Sequence, residues 1–282
     1  MPLEGNPLAV FLDSASVTDE EMQAIAREMN LSETTFVLRR DESIERERGV
    51  RVRIFTTREE LPFAGHPTLG TATVIRQALL DYANAERIVL DLNAGQIGVT
   101  FPAAGNAEEA MYSEMKQLDP MFGATHDVAT IAPLLGLNVE DLAEQAPQTV
   151  STGMGFCITV LRSLEALARL RVDAVASDRY LRGSDAKFFY TLAPEDGGVW
   201  RARMQFYNGE DPATGSAAGC AISYLVQRGF CAPGERLHLR QGVEMRRPSD
   251  LYVSANLTDG KVSEVRVGGS TVPVAKGRLF LK

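Results

Sequence analysis

The sequence predicts an α+β protein of two related halves, each with strands and one buried helix. Three observations predict it. Ser216 to Gln227 carries no formal charge and is stopped by Gly229, and a helix apolar on every side is a buried one. Thr68 to Leu80 repeats the pattern with Arg76 as its one charge, and Pro67 suits its first turn. An alternating strand precedes each helix, Val50 to Phe55 in one case and Trp200 to Phe206 in the other. Gly70 and Gly219 align at an offset of 149 (219 − 70), about half of the 282 residues, so the chain reads as a duplication.

Each helix opens from a glycine-bearing loop, Leu61-Pro62-Phe63-Ala64-Gly65-His66-Pro67 in the first half and Gly209-Glu210-Asp211-Pro212-Ala213-Thr214-Gly215 in the second. The small residues Ser216, Ala217, Ala218 and Gly219 let another group approach the second helix closely. Free N–H groups and the positive dipole end at such a terminus favour a carboxylate or phosphate.

Composition bounds the function classes. With 45% hydrophobic and 23% charged residues and a mean hydropathy of −0.09, this is an ordinary soluble globular chain. A net charge of −8 and a pI near 5.1 argue against a nucleic-acid or anionic-membrane surface. No run reaches the roughly 18 apolar residues of a membrane span, and no secretory signal is visible. Cys157, Cys220 and Cys231 are odd in number and unpatterned, which suits a reducing cytoplasm.

In chain order, Leu8 to Leu12 reads as a strand, and Thr18-Asp19-Glu20-Glu21 as a capping box opening a helix to about Asn30. Thr34 to Leu38 is rich in strand formers, which puts Glu33 at its mouth, where a side chain points into a cleft. Arg39 to Arg48, dense in both charge signs, reads as a solvated hairpin or loop. Arg87–Leu92 and Gln96–Phe101 pair as a hairpin across Asn93-Ala94-Gly95, and the first half ends near Pro102 to Glu109. Asp127–Gly136 and Val139–Glu144 read as short helices, and Phe156–Leu161 as a buried strand. Leu237–Gln241, Leu251–Asn256, Val262–Val267 and Thr271–Val274 read as successive antiparallel strands, with a last strand at Gly277–Leu281.

Several chemistries are disfavoured. Gly153-Met154-Gly155 lacks the third glycine and following helix of a dinucleotide loop, and Thr214-Gly215-Ser216-Ala217-Ala218 lacks the second glycine of a nucleophile elbow. No His, Cys or carboxylate spacing suggests a metal site, and no cofactor is implied. His126 and His238 lie away from the loops and read as structural or exposed. What remains is the carboxylate of Glu33, the imidazole of His66, the carboxylate of Asp211 and two helix N-termini, a set suited to proton transfer at carbon.

Five segments together resemble the PhzF family of phenazine-biosynthesis-like isomerases. They are Gly5-Asn6-Pro7-Leu8-Ala9-Val10, Ser32-Glu33-Thr34-Thr35-Phe36-Val37, Phe63-Ala64-Gly65-His66-Pro67-Thr68, Glu210-Asp211-Pro212-Ala213-Thr214-Gly215-Ser216-Ala217 and Gln241 to Ser249. The resemblance implies a diaminopimelate-epimerase-like fold: two similar domains, each a curved, mostly antiparallel sheet wrapped around a central buried helix, with the active site between them. The expected division is 1–108 plus 276–282 against 109–275, the last strand returning to the first domain. The resemblance implies a further strand ahead of the Gly-Asn-Pro turn, so either the start lies upstream of Met1, the favoured expectation, or the first sheet lacks a strand.

The resemblance also implies roles. Glu33 matches a glutamate that moves a proton between ring carbons, and His66, Asp211 and Ser216 match residues that hold the substrate and orient or relay protons. Asn6, Gly65 and Gly215, with Ser216, are the expected ligands of a substrate carboxylate. Racemases of this fold oppose two cysteines, whereas these loops carry His66 and Ser216, with Cys220 a turn further along its helix. The expectation is therefore a cytoplasmic, homodimeric single-base isomerase of a small unsaturated or cyclic carboxylic acid. The alternatives are a cofactor-independent epimerase or racemase of a small carboxylic acid, or a non-catalytic protein that binds one.

Overall fold

Two helices almost without solvent-facing surface organise the structure, a computed structural model that describes residues 1–102, 110–206 and 209–281. The first half runs β1 (Leu8–Phe11), α1 (Asp19–Met29), β2 (Glu33–Leu38), α2 (Glu42–Arg48), β3 (Val50–Phe55), β4 (Glu60–Leu61), α3 (Gly65–Ala78), β5 (Arg87–Leu92), β6 (Gly95–Thr100) and β7 (Met111–Lys116). After it come β8 (Met121–Thr125), α4 (Val128–Leu134), β9 (Gln148–Ser151), β10 (Gly155–Val160), α5 (Leu164–Arg169), α6 (Ala174–Leu181), β11 (Phe188–Pro194), β12 (Val199–Phe206) and β13 (Gly209–Asp211). The chain continues through α7 (Gly215–Gln227), β14 (Leu237–Gln241), β15 (Ser249–Thr258) and β16 (Lys261–Thr271).

The strands form one mostly antiparallel ribbon in the order β1-β2-β3-β5-β6-β7-β16-β15-β14-β12-β11-β10-β9-β8, with β4 on β3 and β13 on β12. The duplication is visible in the pairing. Strand β1 runs parallel to β2, β2 antiparallel to β3, and β3 parallel to β5; the series recurs as β10 with β11, β11 with β12 and β12 with β14. The β7–β16 pair joins the two series edge to edge. This is the expected α+β architecture.

Helix α3 packs on β1, β5, β7 and β16, and α7 on β9, β10, β15 and β16. Every residue of α7 from Gly215 to Val226 is buried. Its two glycines and two serines are poor helix formers, so its stability comes from burial, at about 1.5–3 kcal/mol for each side chain such as Ile222, Leu225 or Val226. Helix α1 is built differently: Thr18 and Glu21 close the capping box, Asn30 ends the helix in the left-handed region, and Met22, Ile25 and Ala26 face Phe36 and Phe55.

Four sequence expectations change. Arg39–Arg48 is not a solvated loop, because Glu42–Arg48 forms α2, with a Glu42–Arg46 pair one turn apart. Its Glu45 turns inward, accepting hydrogen bonds from the Arg39 guanidinium, the Arg40 N–H and the Tyr82 hydroxyl. Val139–Glu144 is reduced to a single 3₁₀ turn at Val139–Asp141. Thr271–Val274 is no separate strand, since β16 runs unbroken through Gly268 and Gly269 to Thr271. Gly277–Leu281 forms no strand and is exposed; among the described residues no strand lies beside it, and a lone strand leaves its N–H and C=O groups unmet. The expected end of the first half lies largely outside the described residues, at 103–109. Among the described residues no helix is long and apolar enough to cross a membrane.

Candidate active site

Both loops that lead into the buried helices are clamped in the same way. In the β3–β4 hairpin the Arg53 guanidinium donates twice to Glu60, at 2.8 and 2.7 Å; in the β12–β13 hairpin Arg203 donates twice to Glu210, at 2.8 and 2.7 Å. Bidentate pairs of this kind fix geometry as well as energy. They deliver the N-termini of α3 and α7 to the same point. A Cβ added to Gly65 would lie 2.8 Å from the Cα and carbonyl carbon of Gly215, and one on Gly215 would lie 3.2 Å from Gly65 Cα. Neither helix has a side-chain cap: Ala64 has none to offer, and the Thr214 hydroxyl is turned to Asp211. Uncapped N–H groups and two positive dipole ends therefore converge.

Glu33 reaches this point from β2. Strand residues two apart share a face, and the Thr35 hydroxyl bonds that of Thr71 on α3 at 2.8 Å, so Glu33 is aimed at the start of the same helix. Its Oε2 lies 3.4 Å from His66 Nε2, and both atoms are buried without a hydrogen bond among the described residues. Asp211 comes from the other loop. Its Oδ1 accepts from Asn6 Nδ2 at 2.8 Å and its Oδ2 from Thr214 Oγ1 at 2.6 Å. Asn6 also donates to the Ala213 carbonyl at 2.9 Å and lies 3.2 Å from His66 Nδ1, bridging the two loops. The Gly5-Asn6-Pro7 turn is itself held by the Gln241–Ser249 segment: Arg247 Nε donates to the Gly5 carbonyl at 2.8 Å, and the Gly5 N–H donates to the Pro248 carbonyl.

The seven residues expected from the sequence, Asn6, Glu33, Gly65, His66, Asp211, Gly215 and Ser216, are thus gathered where the starts of α3 and α7 meet. Ser216 is the second residue of α7, 6% exposed, and its hydroxyl makes no hydrogen bond among the described residues. Cys220 is fully buried further along α7, near Thr152, with its thiol pushed up to about 11 by burial. His126 is buried between Tyr180 and Thr149, and His238 pairs with Asp250. Thr214, Tyr190, Gln241 and Arg247 form a supporting layer that sequence reasoning did not assign. The Glu210–Ala217 and Gln241–Ser249 segments gave a signal for Thr214, Gln241 and Arg247, and nothing in the sequence pointed to Tyr190. Among the described residues no three His, Cys, Asp or Glu side chains gather as metal ligands.

Burial sets the protonation of the site. It raises Glu33 to about 8, with the negative charge of Asp211 adding to the shift. Burial also raises Asp211, to about 6, against the lowering effect of the Thr214 and Asn6 hydrogen bonds. His66 is pushed down to about 3 by burial, opposed by a hydrogen bond with the Pro7 carbonyl. Burial thus favours the protonated form of Glu33 more strongly than that of Asp211 and keeps the His66 imidazole neutral.

These shifts predict a pH dependence of stability. Glu33 binds its proton more tightly folded than unfolded, so its contribution is present below the unfolded value near 4.5 and lost as pH rises towards 8. His66 acts in reverse, its contribution being present above 6.5 and lost as pH falls towards 3. Between pH 6.5 and 8 Glu33 dominates, and unfolding free energy is expected to fall by up to about 1.4 kcal/mol per pH unit. Urea midpoints of wild type and Glu33→Gln across this window check it. The variant should lose most of the slope, and parallel curves would contradict a raised Glu33.

An α+β fold with two carboxylates and an imidazole gathered where two buried helices begin defines the class. The profile of the family described as phenazine biosynthesis-like protein (PhzC-PhzF) matches residues 1–277. The trans-2,3-dihydro-3-hydroxyanthranilate isomerase of Pseudomonas aeruginosa is 35% identical over 99% of this chain and 95% of its own length. That of Pseudomonas fluorescens is 34% identical over 100% and 96%. The solved structure of a "Predicted Epimerase" from Pseudomonas aeruginosa is 37% identical with a TM-score of 0.83, covering 100% of this chain and 95% of that one. The solved structure of a "probable proline racemase" from Agrobacterium radiobacter, 9% identical with a TM-score of 0.65 over 95% of this chain and 84% of its own, shares the fold. The chain belongs to the PhzF family. It is a PhzF-like isomerase.

Proposed function

We propose that this enzyme moves a proton within a small unsaturated or cyclic carboxylic acid, with Glu33 as the one base that removes and returns it. The observation that carries the reading is the buried Glu33 Oε2, 3.4 Å from His66 Nε2, neither atom having a hydrogen bond among the described residues. A carboxyl group raised towards 8 is both a stronger base and a usable acid near neutrality. The N–H groups at Gly65–His66 and Gly215–Ser216, with Asn6, are the proposed ligands of the substrate carboxylate, and they stabilise charge that develops on conjugation with it. His66, Asp211 and Ser216 orient the substrate and its protons.

The asymmetry of the duplication favours one base over two. Strand β11, the counterpart of β2, reads Phe-Phe-Tyr-Thr-Leu-Ala-Pro and holds no carboxylate. The clamps correspond as Arg53–Glu60 and Arg203–Glu210, which sets Leu61 where Asp211 stands. Each half therefore supplies different groups.

The first substrate to test is the one named for the relatives, trans-2,3-dihydro-3-hydroxyanthranilate. Turned over once in D₂O, the product is expected to keep part of the migrating hydrogen, because an enclosed carboxylic acid exchanges slowly with solvent. Complete solvent labelling together with inversion of a stereocentre would favour an epimerase, and absence of exchange from a bound acid would favour a binding protein. The enzyme is further proposed to be a cytoplasmic homodimer, two-fold pairs being the commonest assembly. Light scattering should give twice the 30.7 kDa chain mass, and a monomer mass at working concentration would refute it.

A further inference from the structure

The loop between β13 and α7 hangs on one buried side-chain amide. Gln241, the last residue of β14, is fully buried and fills all four of its hydrogen-bonding positions. Its Nε2 donates to the Asp211 carbonyl at 2.7 Å and to Thr214 Oγ1 at 2.9 Å. Its Oε1 accepts from the Thr214 N–H at 3.1 Å and from the Tyr190 hydroxyl at 2.8 Å. Turning the amide over would set its oxygen against a carbonyl and its NH₂ against an N–H, so the network admits one orientation.

That orientation directs a second group. The Thr214 hydroxyl has one proton and three neighbours: Gln241 Nε2 at 2.9 Å, Met204 Sδ at 3.1 Å and Asp211 Oδ2 at 2.6 Å. The amide nitrogen only donates and a thioether is a weak acceptor, so the proton goes to the carboxylate. With Asn6 donating to Oδ1, both oxygens of Asp211 are acceptors at once. A protonated Asp211 would face a hydroxyl already receiving the amide proton and would push the Thr214 proton onto sulfur. The titratable groups around this carboxylate are Glu33 from β2, His66 from α3 across Asn6, and Tyr190 from β11, with Cys220 of α7 beside Tyr190.

We infer that Gln241 is a positioning residue: by fixing the direction of the Thr214 hydroxyl it keeps Asp211 ionised and leaves the exchangeable proton of the site on Glu33. Its bearing on turnover rests on Glu33 being the base, while its geometry does not.

The test is a titration of protein labelled with ¹³C at the aspartate carboxyl, the Asp211 signal being assigned by its absence in Asp211→Asn. Thr214→Val is expected to raise the Asp211 midpoint by about one pH unit or more, the size of one hydrogen bond to a charged group. Thr214→Ser, which keeps the hydroxyl, should move it by less than about a third of that. Gln241→Glu turns a donor into an acceptor and draws the Thr214 proton away; its added charge raises the Asp211 midpoint in either background, and the part carried by the hydroxyl shows as a larger rise with Thr214 present than in the Thr214→Val background. Thr214→Ala replaces Thr214→Val if the latter does not fold. An unmoved midpoint without the hydroxyl, or an equal Gln241→Glu effect in both backgrounds, overturns the assignment. Full activity of Glu33→Gln with these shifts intact would remove the base and leave the Gln241 inference standing.

Discussion

Glu33→Gln is expected to lower kcat by at least about 10²-fold, the usual contribution of a general acid–base group, while a carboxylic-acid ligand still binds. The amide keeps the shape of the side chain and its capacity to hydrogen-bond, so packing at the start of β2 is retained. What is lost is the one group able to take a proton and give it back. Because burial holds the carboxyl near 8, wild-type kcat/KM should rise with pH up to that value rather than level off near pH 5. Binding of an unreactive unsaturated acid, followed by thermal shift or calorimetry, separates a lost base from a collapsed site. Turnover within a few-fold of wild type would remove Glu33 from the mechanism.

The centre of the site was more legible in the sequence than its supports. Helices α3 and α7 could be read because burial demands a long stretch almost free of charge, and charge is visible residue by residue. Glu33 could be placed at the mouth of a strand because Thr34 to Leu38 is strongly strand-forming. Gln241 could not be read in the same way. Its role depends on meeting Asp211, Thr214 and Tyr190, which lie 27 or more positions away in sequence and converge only through the pairing of β12 with β14 and β11. Glu45 misled for a related reason: charge density at Arg39–Arg48 signals solvent, yet Arg39, Arg40 and Tyr82 supply enough donors to bury one carboxylate. Gly277–Leu281 has the composition of a strand, but composition does not say whether a neighbour is there to pair with it.

Gly65→Ala is expected to damage both stability and turnover, and the reason lies in backbone meeting backbone. The added Cβ would fall 2.8 Å from Gly215 Cα, the Gly215 carbonyl carbon and the Ser216 nitrogen. None of these atoms can swing aside as a side chain does, so α3 and α7 must separate where their N-termini converge. Alanine is otherwise the better helix former, by about 1 kcal/mol, so any net loss measures the contact itself. Overpacking of this kind costs about 1–3 kcal/mol. The separation also moves both sets of N–H groups and His66 away from Glu33, and a misplacement of about 1 Å is enough to cost ~10²-fold in rate. Gly70→Ala on the same helix is the control, because its Cβ would meet only Leu8 Cδ2, the end of a flexible side chain. Urea unfolding and steady-state kinetics on both variants should show Gly65→Ala impaired in each measurement and Gly70→Ala within a few-fold of wild type in kcat/KM. Equal behaviour of the two variants would mean that the close approach of the two helices is not what assembles the site.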